Sequence, residues 1–184
     1  MRGGTFSLLL PLRAATELAR VLEQTVGDVE IALDENQALF QHRTFNFISR
    51  LVDGVFPDYQ QIVPKHFTTE AVLSRAALQN TLRNAGFFTG RLQAVTVRFN
   101  ADERLVEVQT GAAEIGEHNE TLPTTALDGR NVALAFNYRY LVDGVAHLAS
   151  DEVRVGLNGE GRPMMIRANN DPSYFYIIMP MKNI

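Results

Sequence analysis

The chain has 184 residues, 46% of them hydrophobic and 21% charged, a net charge of −4 and no cysteine. That is material for a real core at a length between one small domain and two full ones, so one complete domain and part of another are expected. The composition excludes a disulfide framework, a thiolate metal site and, since no apolar run reaches the ~20 residues of a membrane helix, a spanning segment. The apolar patch in MRGGTFSLLLPL is broken by Pro11 and followed by no small-residue cleavage site, so it does not read as a signal peptide, and a soluble cytosolic protein is expected.

In chain order, Thr5 to Leu10 is an extended apolar run. Pro11 then sits where a first helical turn tolerates a missing N–H, and LRAATELARVLEQ places Leu12, Ala15, Leu18, Ala19 and Leu22 on one side of a helix. Strands follow at Val29 to Leu33, Ala38 to His42 and Phe45 to Val52. The order strand, helix, three strands then returns twice. In the second copy the pieces are Phe67 to Leu73, a helix from Ser74 to Phe88, then Ala94 to Asn100, Leu105 to Thr110 and Glu117 to Leu122. In the third they are Val132 to Phe136, a helix from Asn137 to about Leu148, then Val153 to Leu157, Pro163 to Ala168 and Tyr174 to Met179. Asp102-Glu103, Asp128-Gly129 and Asn158-Gly159 supply the turns between them.

A sum of −4 argues against a uniformly basic surface, yet the charge is segregated. Ala71 to Ala101 holds no acid but contains Arg75, Arg83, Arg91 and Arg98, while acids gather before and after it. Arg13 and Arg20 are seven residues apart and so lie about 20° apart around a helix. Arg75 with Arg83, and Arg139 with His147, share sides more loosely. These faces are either ordinary solvated helix surface or a surface that meets phosphates without reading sequence.

Catalytic constellations do not emerge. His42, His66, His118 and His147 lack paired metal-ligand spacing, there is no nucleophile elbow or phosphate-binding glycine loop, and GLNGEG at Gly156 to Gly161 reads as a hairpin turn. A binding or scaffolding protein, without cofactor or metal, is expected. The organising stretch is Leu51 to Pro64, LVDGVFPDYQQIVP, an ordered joint in which Asp53-Gly54 turns the chain and Pro57 and Pro64 oppose helix and central strand. The closing run YFYIIMPM, Tyr174 to Met181, is expected to fold back against it, its methionines forming an adaptable surface.

Ser49 to Tyr59 (SRLVDGVFPDY), Ile62-Val63-Pro64 and Tyr176 to Lys182 (YIIMPMK) resemble the bacterial DNA polymerase III β subunit, the replicative sliding clamp. The resemblance implies an α+β DNA clamp fold: repeated units with antiparallel sheets outside and helices lining a hole that surrounds duplex DNA. It covers the whole of this chain but the C-terminal half of the family's, with residues 1–63 as the second half of a middle domain and residues 64–184 as a complete third domain. Family members have no reaction of their own. They tether DNA polymerase III and other DNA-handling proteins to the template and are placed there by a clamp loader.

Partner peptides dock in a pocket between the middle and third domains. The positions that match it are Pro57, Gln61, Ile62, Leu92, Asn137, Tyr140, Gly161, Pro163, Ile177, Ile178, Met179, Pro180 and Met181, with Gln61 standing where the family often has arginine. The Thr-Asp-Gly-His-Arg-Leu-type segment of the pocket's other wall is not in this sequence. The resemblance also implies DNA-facing roles for Arg13, Arg20, Arg75 and Arg83, and a ring-interface role for Phe87 and Phe88, whose other reading is helix-to-strand packing. Ile177 and Ile178 alternate on a strand, so one is expected to face the pocket and the other the core. A second expectation from a different class is a regulatory or decoy module that captures clamp-binding peptides without encircling DNA.

Overall fold

Half-buried Ala14, Ala15 and Val21 join buried Leu18 in a stripe at helical spacing, and behind Pro11, whose carbonyl accepts from Ala15 N at 3.0 Å, this stripe builds α1 (Leu12–Glu23). The computed structural model describes residues 6–182, in which the chain divides into unit 1 (Met1–Asp58) and unit 2 (Tyr59–Ile184). In unit 1, α1 is followed by β1 (Glu30–Leu33), β2 (Gln37–His42) and β3 (Phe45–Arg50), an antiparallel sheet in the order β1-β2-β3. The helix places Leu18 in a small core with Ala38 and Phe40 of β2, backed by Leu10, Val29, Phe45, Phe47 and Leu51.

Every residue of β1 is exposed. The expected strand from Thr5 to Leu10 does not form over its described part: Thr5 lies outside the described residues, and Phe6–Leu10 carries no strand pairing beyond a hydrogen bond from Val52 N to Leu9 O at 2.9 Å. A strand needs a continuous neighbour, and among the described residues this segment has one hydrogen-bonded anchor instead.

Unit 2 repeats one pattern twice. The first repeat is β4 (Thr69–Ser74), α2 (Arg75–Ala85), a 3-10 turn at Gly86–Phe88, β5 (Ala94–Asn100), β6 (Leu105–Ala112) and β7 (Gly116–Gly129); the second is β8 (Val132–Asn137), α3 (Tyr138–Ala146), β9 (Glu152–Leu157), β10 (Met164–Ala168) and β11 (Phe175–Ile178). The eight strands form one antiparallel sheet in the order β11-β10-β9-β4-β7-β6-β5-β8, so each repeat's leading strand, β4 or β8, pairs with a strand of the other repeat. α2 and α3 pack on each other and on the sheet, over a core that includes Leu73, Leu82, Phe99, Phe136, Val145 and Ile166. Side-chain caps start both helices: Ser74 Oγ accepts from Ala77 N at 3.3 Å and Asn137 Oδ1 from Arg139 N at 3.0 Å.

In unit 2, β7 departs most from the expectation. β7 runs seven residues past Leu122, through Pro123 to Gly129. Its first part pairs with β6 as far as Leu105↔Pro123, and its second part pairs with β4 from Leu73↔Thr124 onward, beside a bulge at Val72/Leu73. Pro123 therefore sits where the strand changes neighbours, a place where a missing ladder donor costs little.

Candidate functional site

Strand alternation decides the last stretch of chain. Ile178, opposite Met164 on β10, is buried in the core, whereas Ile177, opposite Met165, turns to the other face and is half-buried. The side chain of Ile178 faces the core, and Ile177 is the one of the pair turned to the surface. Pro180 ends β11, and Met181 N donates to Ala135 O of β8 at 2.7 Å, so the two terminal strands of the eight-stranded sheet lie beside each other at this point. That bond holds Met179, Pro180 and Met181 over an open cavity of about 580 Å³ with Gly161, Glu160, Lys182 and Ala133–Ala135. Met179 is 56% exposed. The result is a mostly apolar wall with an acid and a lysine at its margin, suited to an extended peptide with apolar anchors.

The cavity thus gathers Gly161, Met179, Pro180 and Met181 of the expected residues. The others sit elsewhere. Asn137 caps α3, and Tyr140, one turn in, is 55% exposed. Pro163 is half-buried just ahead of β10, and Leu92 is 58% exposed in the turn before β5; neither lines the cavity. Pro57 belongs to unit 1, while Gln61 ends a 3-10 turn at Tyr59–Gln61 in unit 2, followed by exposed Ile62. The expected return of the closing run to the joint is seen within unit 2 as a ring contact between Tyr59 and Phe175, with centroids 6.2 Å apart. Sequence reasoning did not find Ala133–Ala135, because apolar strand residues carry no chemical signal and the backbone hydrogen bond to Met181 brings them to the site, nor Glu160, which lies in a turn.

Of the arginines matched to a DNA-facing role, Arg13 is exposed on α1. Arg20 is exposed but pairs with Glu17 at 2.7 Å, an exposed ion pair that costs little to open. Arg83 is exposed and reaches Asn80 Oδ1 at 3.3 Å. Arg75 is half-buried, its Nε donates to Ser150 O at 2.7 Å and its Nη1 to Gln79 Oε1 at 3.2 Å, so it ties the start of α2 to the segment before β9.

Phe87 and Phe88 also part company. Phe87 points outward at 73% exposure, whereas half-buried Phe88 stacks on His118 of β7 with centroids 5.5 Å apart and planes 11° from parallel. Neither joins the buried core. Among the described residues no group of histidines and carboxylates could hold a metal ion, and no helix is long and apolar enough to cross a membrane.

Comparison with known proteins divides the chain in a similar way. Residues 2–58 match the family described as DNA polymerase III beta subunit, central domain, and residues 60–182 match DNA polymerase III beta subunit, C-terminal domain. The beta sliding clamp of Bacillus subtilis is 27% identical over 97% of this chain and 47% of its own length. The crystal structure of the Bacillus subtilis sliding clamp superposes with a TM-score of 0.86 at 27% identity, again over 97% of this chain and 47% of that one. A sliding clamp from Bartonella birtlesii gives 0.85 at 28% identity, over 98% of this chain and 51% of that one. The chain spans about half the length of the curated relatives it matches.

Proposed function

We propose, for a chain that belongs to the DNA polymerase III β subunit family, that it acts as a non-catalytic sliding-clamp component that tethers polymerase and other DNA-handling proteins to duplex DNA in the cytoplasm. The observation that carries this reading is the Met179–Met181 segment, fixed to β8 by Met181 N and flanked by Gly161, because it is a ready apolar wall for a partner peptide. Ile177, Asn137, Tyr140, Pro163, Ile62, Gln61, Pro57 and Leu92 belong to the same recognition surface in this reading, with residues 1–63 as part of a middle domain and 64–184 as a third domain. Arg13, Arg20 and Arg83 face phosphate, Phe87 is the ring-interface residue, and a clamp loader acts on the assembled form. Tethering turns repeated association into an intramolecular event by raising effective concentration.

A second reading, peptide capture without DNA, is favoured by the way Arg75 spends its guanidinium group on this chain's own atoms. The experiment is a fluorescence-anisotropy titration of the chain with a labelled clamp-binding peptide, beside a Met179→Ala, Met181→Ala variant. Saturable binding that weakens about tenfold or more, equal to ~1.4 kcal/mol, supports the peptide site; equal binding by the variant moves that site off the C-terminal wall.

A further inference from the structure

Residues 59–68 form a strap that is tied to the sheet of unit 2 at both ends. At the first end the Tyr59 ring meets Phe175 of β11, with centroids 6.2 Å apart. At the second, three consecutive residues settle on the end of β9. Phe67 lies over Gly156, where an added Cβ would fall 2.6 Å from its ring, and Thr68 donates from N and from Oγ1 to Leu157 O, each at 3.1 Å. His66 O accepts from Asn158 Nδ2 at 2.8 Å, and Thr68 N donates to Asn158 Oδ1 at 2.9 Å. A backbone N–H can only donate and a carbonyl oxygen can only accept, so these partners fix the orientation of the Asn158 amide and use both of its functions.

Asn158 also opens the turn between β9 and β10. Gly159 and Gly161 follow at φ +84° and +69°, in the left-handed region that suits glycine, and the turn brings Glu160 and Gly161 to the cavity with Met179–Met181. One side chain thus joins the strap to a turn that supplies part of the peptide wall. The sheet face beside it is apolar: Met165 of β10 stands between Gly156, under Phe67, and Ile177 of β11, and it is buried although it lies outside the core cluster. Between its two ties the strap carries Gln61 and Ile62, the latter 61% exposed. Pro64, with its fixed φ, limits the slack between Ile62 and the tie at His66.

We infer, on the peptide-binding reading above, that Asn158 is a positioning residue of that surface: by fastening the strap to the β9–β10 turn, it presents Gln61 and Ile62 to the same peptide that meets Ile177 and the Met179–Met181 wall. Asn158 lines no part of the cavity and acts through the strap. Without its amide the strap keeps the Phe67 contact and the Thr68 bonds to Leu157 O, but it loses its hold at His66, the tied residue nearest Ile62 on that side. A peptide must then order the strap as it binds, and its affinity falls.

Two measurements on the full chain test this, with Asn158→Ala and with Asn158→Asp, which keeps a turn-forming residue and the acceptor for Thr68 N but not the donor to His66 O. Without peptide, amide hydrogen exchange over residues 59–68 is expected to quicken about tenfold in both variants, while that of β5 and β6 stays as in the parent. With a labelled clamp-binding peptide, followed by fluorescence anisotropy well below the unfolding temperature, each variant is expected to bind about fivefold to tenfold more weakly. Ile62→Ala should add little to Asn158→Asp, because the strap is already misplaced, whereas Met179→Ala should multiply with it as an independent site does. Affinity equal to the parent's overturns the inference and leaves the peptide site standing. Exchange equal to the parent's overturns it too, since the strap is then held without Asn158. So does a loss that multiplies alike with Ile62→Ala and Met179→Ala, the mark of a general loss of stability. A parent chain that binds no peptide overturns the peptide reading and this inference together, a result told apart from the others because it needs no variant.

Discussion

Tyr174 and Tyr176 show how a few residues tie the closing strand to α3. Tyr176 packs where Gly144 leaves room, since a Cβ there would lie 2.6 Å from its ring, and Tyr174 meets His147 with ring centroids 6.4 Å apart. Burial first, and then the nearby Asp143 carboxylate, hold both phenols above their ordinary 10.0. A raised folded-state value means that the unfolded chain loses these protons first, so their contribution to stability is intact below pH 10.0 and is lost as pH rises through the folded values. Urea denaturation followed from pH 8 upward is expected to show a midpoint that falls above about pH 10, with a shallower fall in a Tyr174→Phe, Tyr176→Phe variant. An unchanged slope in that variant would assign the alkaline loss to other groups. At this scale the sequence discloses alternation and little else. The division between Ile177 and Ile178 follows from strand period, but the use of Arg75 depends on a carbonyl 75 positions away, Ser150 O, and no local pattern announces it.

At the scale of elements, the cap made by Asn137 and the peptide contact proposed for it can be separated by one pair of substitutions. The Asn137 side chain caps α3, and its position matches the peptide surface proposed above. Asn137→Ala is expected to destabilise unit 2 by about 1 kcal/mol through the lost cap and also to weaken peptide binding. Asn137→Asp keeps the acceptor, so its urea midpoint should stay near that of the parent while peptide affinity still changes, because the amide donors are gone. If both variants bind peptide as the parent does, Asn137 is a cap alone.

Most elements are legible because apolar period and turn residues agree: β5, β9 and β10 lie within a residue of where spacing puts them, and α2 starts one residue from its expected start but gives way to a 3-10 turn at Gly86–Phe88. β7 is not legible past Leu122, since Pro123 ordinarily ends a strand and its tolerance here rests on a change of partner from β6 to β4. Phe6–Leu10 fails in the opposite sense. Its composition suits a strand, but a strand is made by its neighbours as much as by its own residues.

For the molecule as a whole, a net charge of −4 must be reconciled with the proposed binding to a polyanion. A clamp that slides needs few contacts, each with phosphate and none with base edges, so a small set of exposed cations can suffice on an otherwise acidic protein. Arg13 and Arg83 meet that description in separate units, whereas Arg75 is held by Ser150 O and Gln79. The slope of log K against log salt for duplex DNA is therefore expected to become shallower by about 0.9 for each phosphate contact removed in Arg13→Ala and in Arg83→Ala. Arg75→Ala should leave that slope unchanged and instead lower the urea midpoint, because it frees a carbonyl and loosens the start of α2. Peptide affinity should be the same in all three variants. A slope that responds to Arg75→Ala but to neither exposed arginine would place DNA on a different face. No measurable DNA binding in the parent chain, with peptide binding intact, would leave peptide capture as its function.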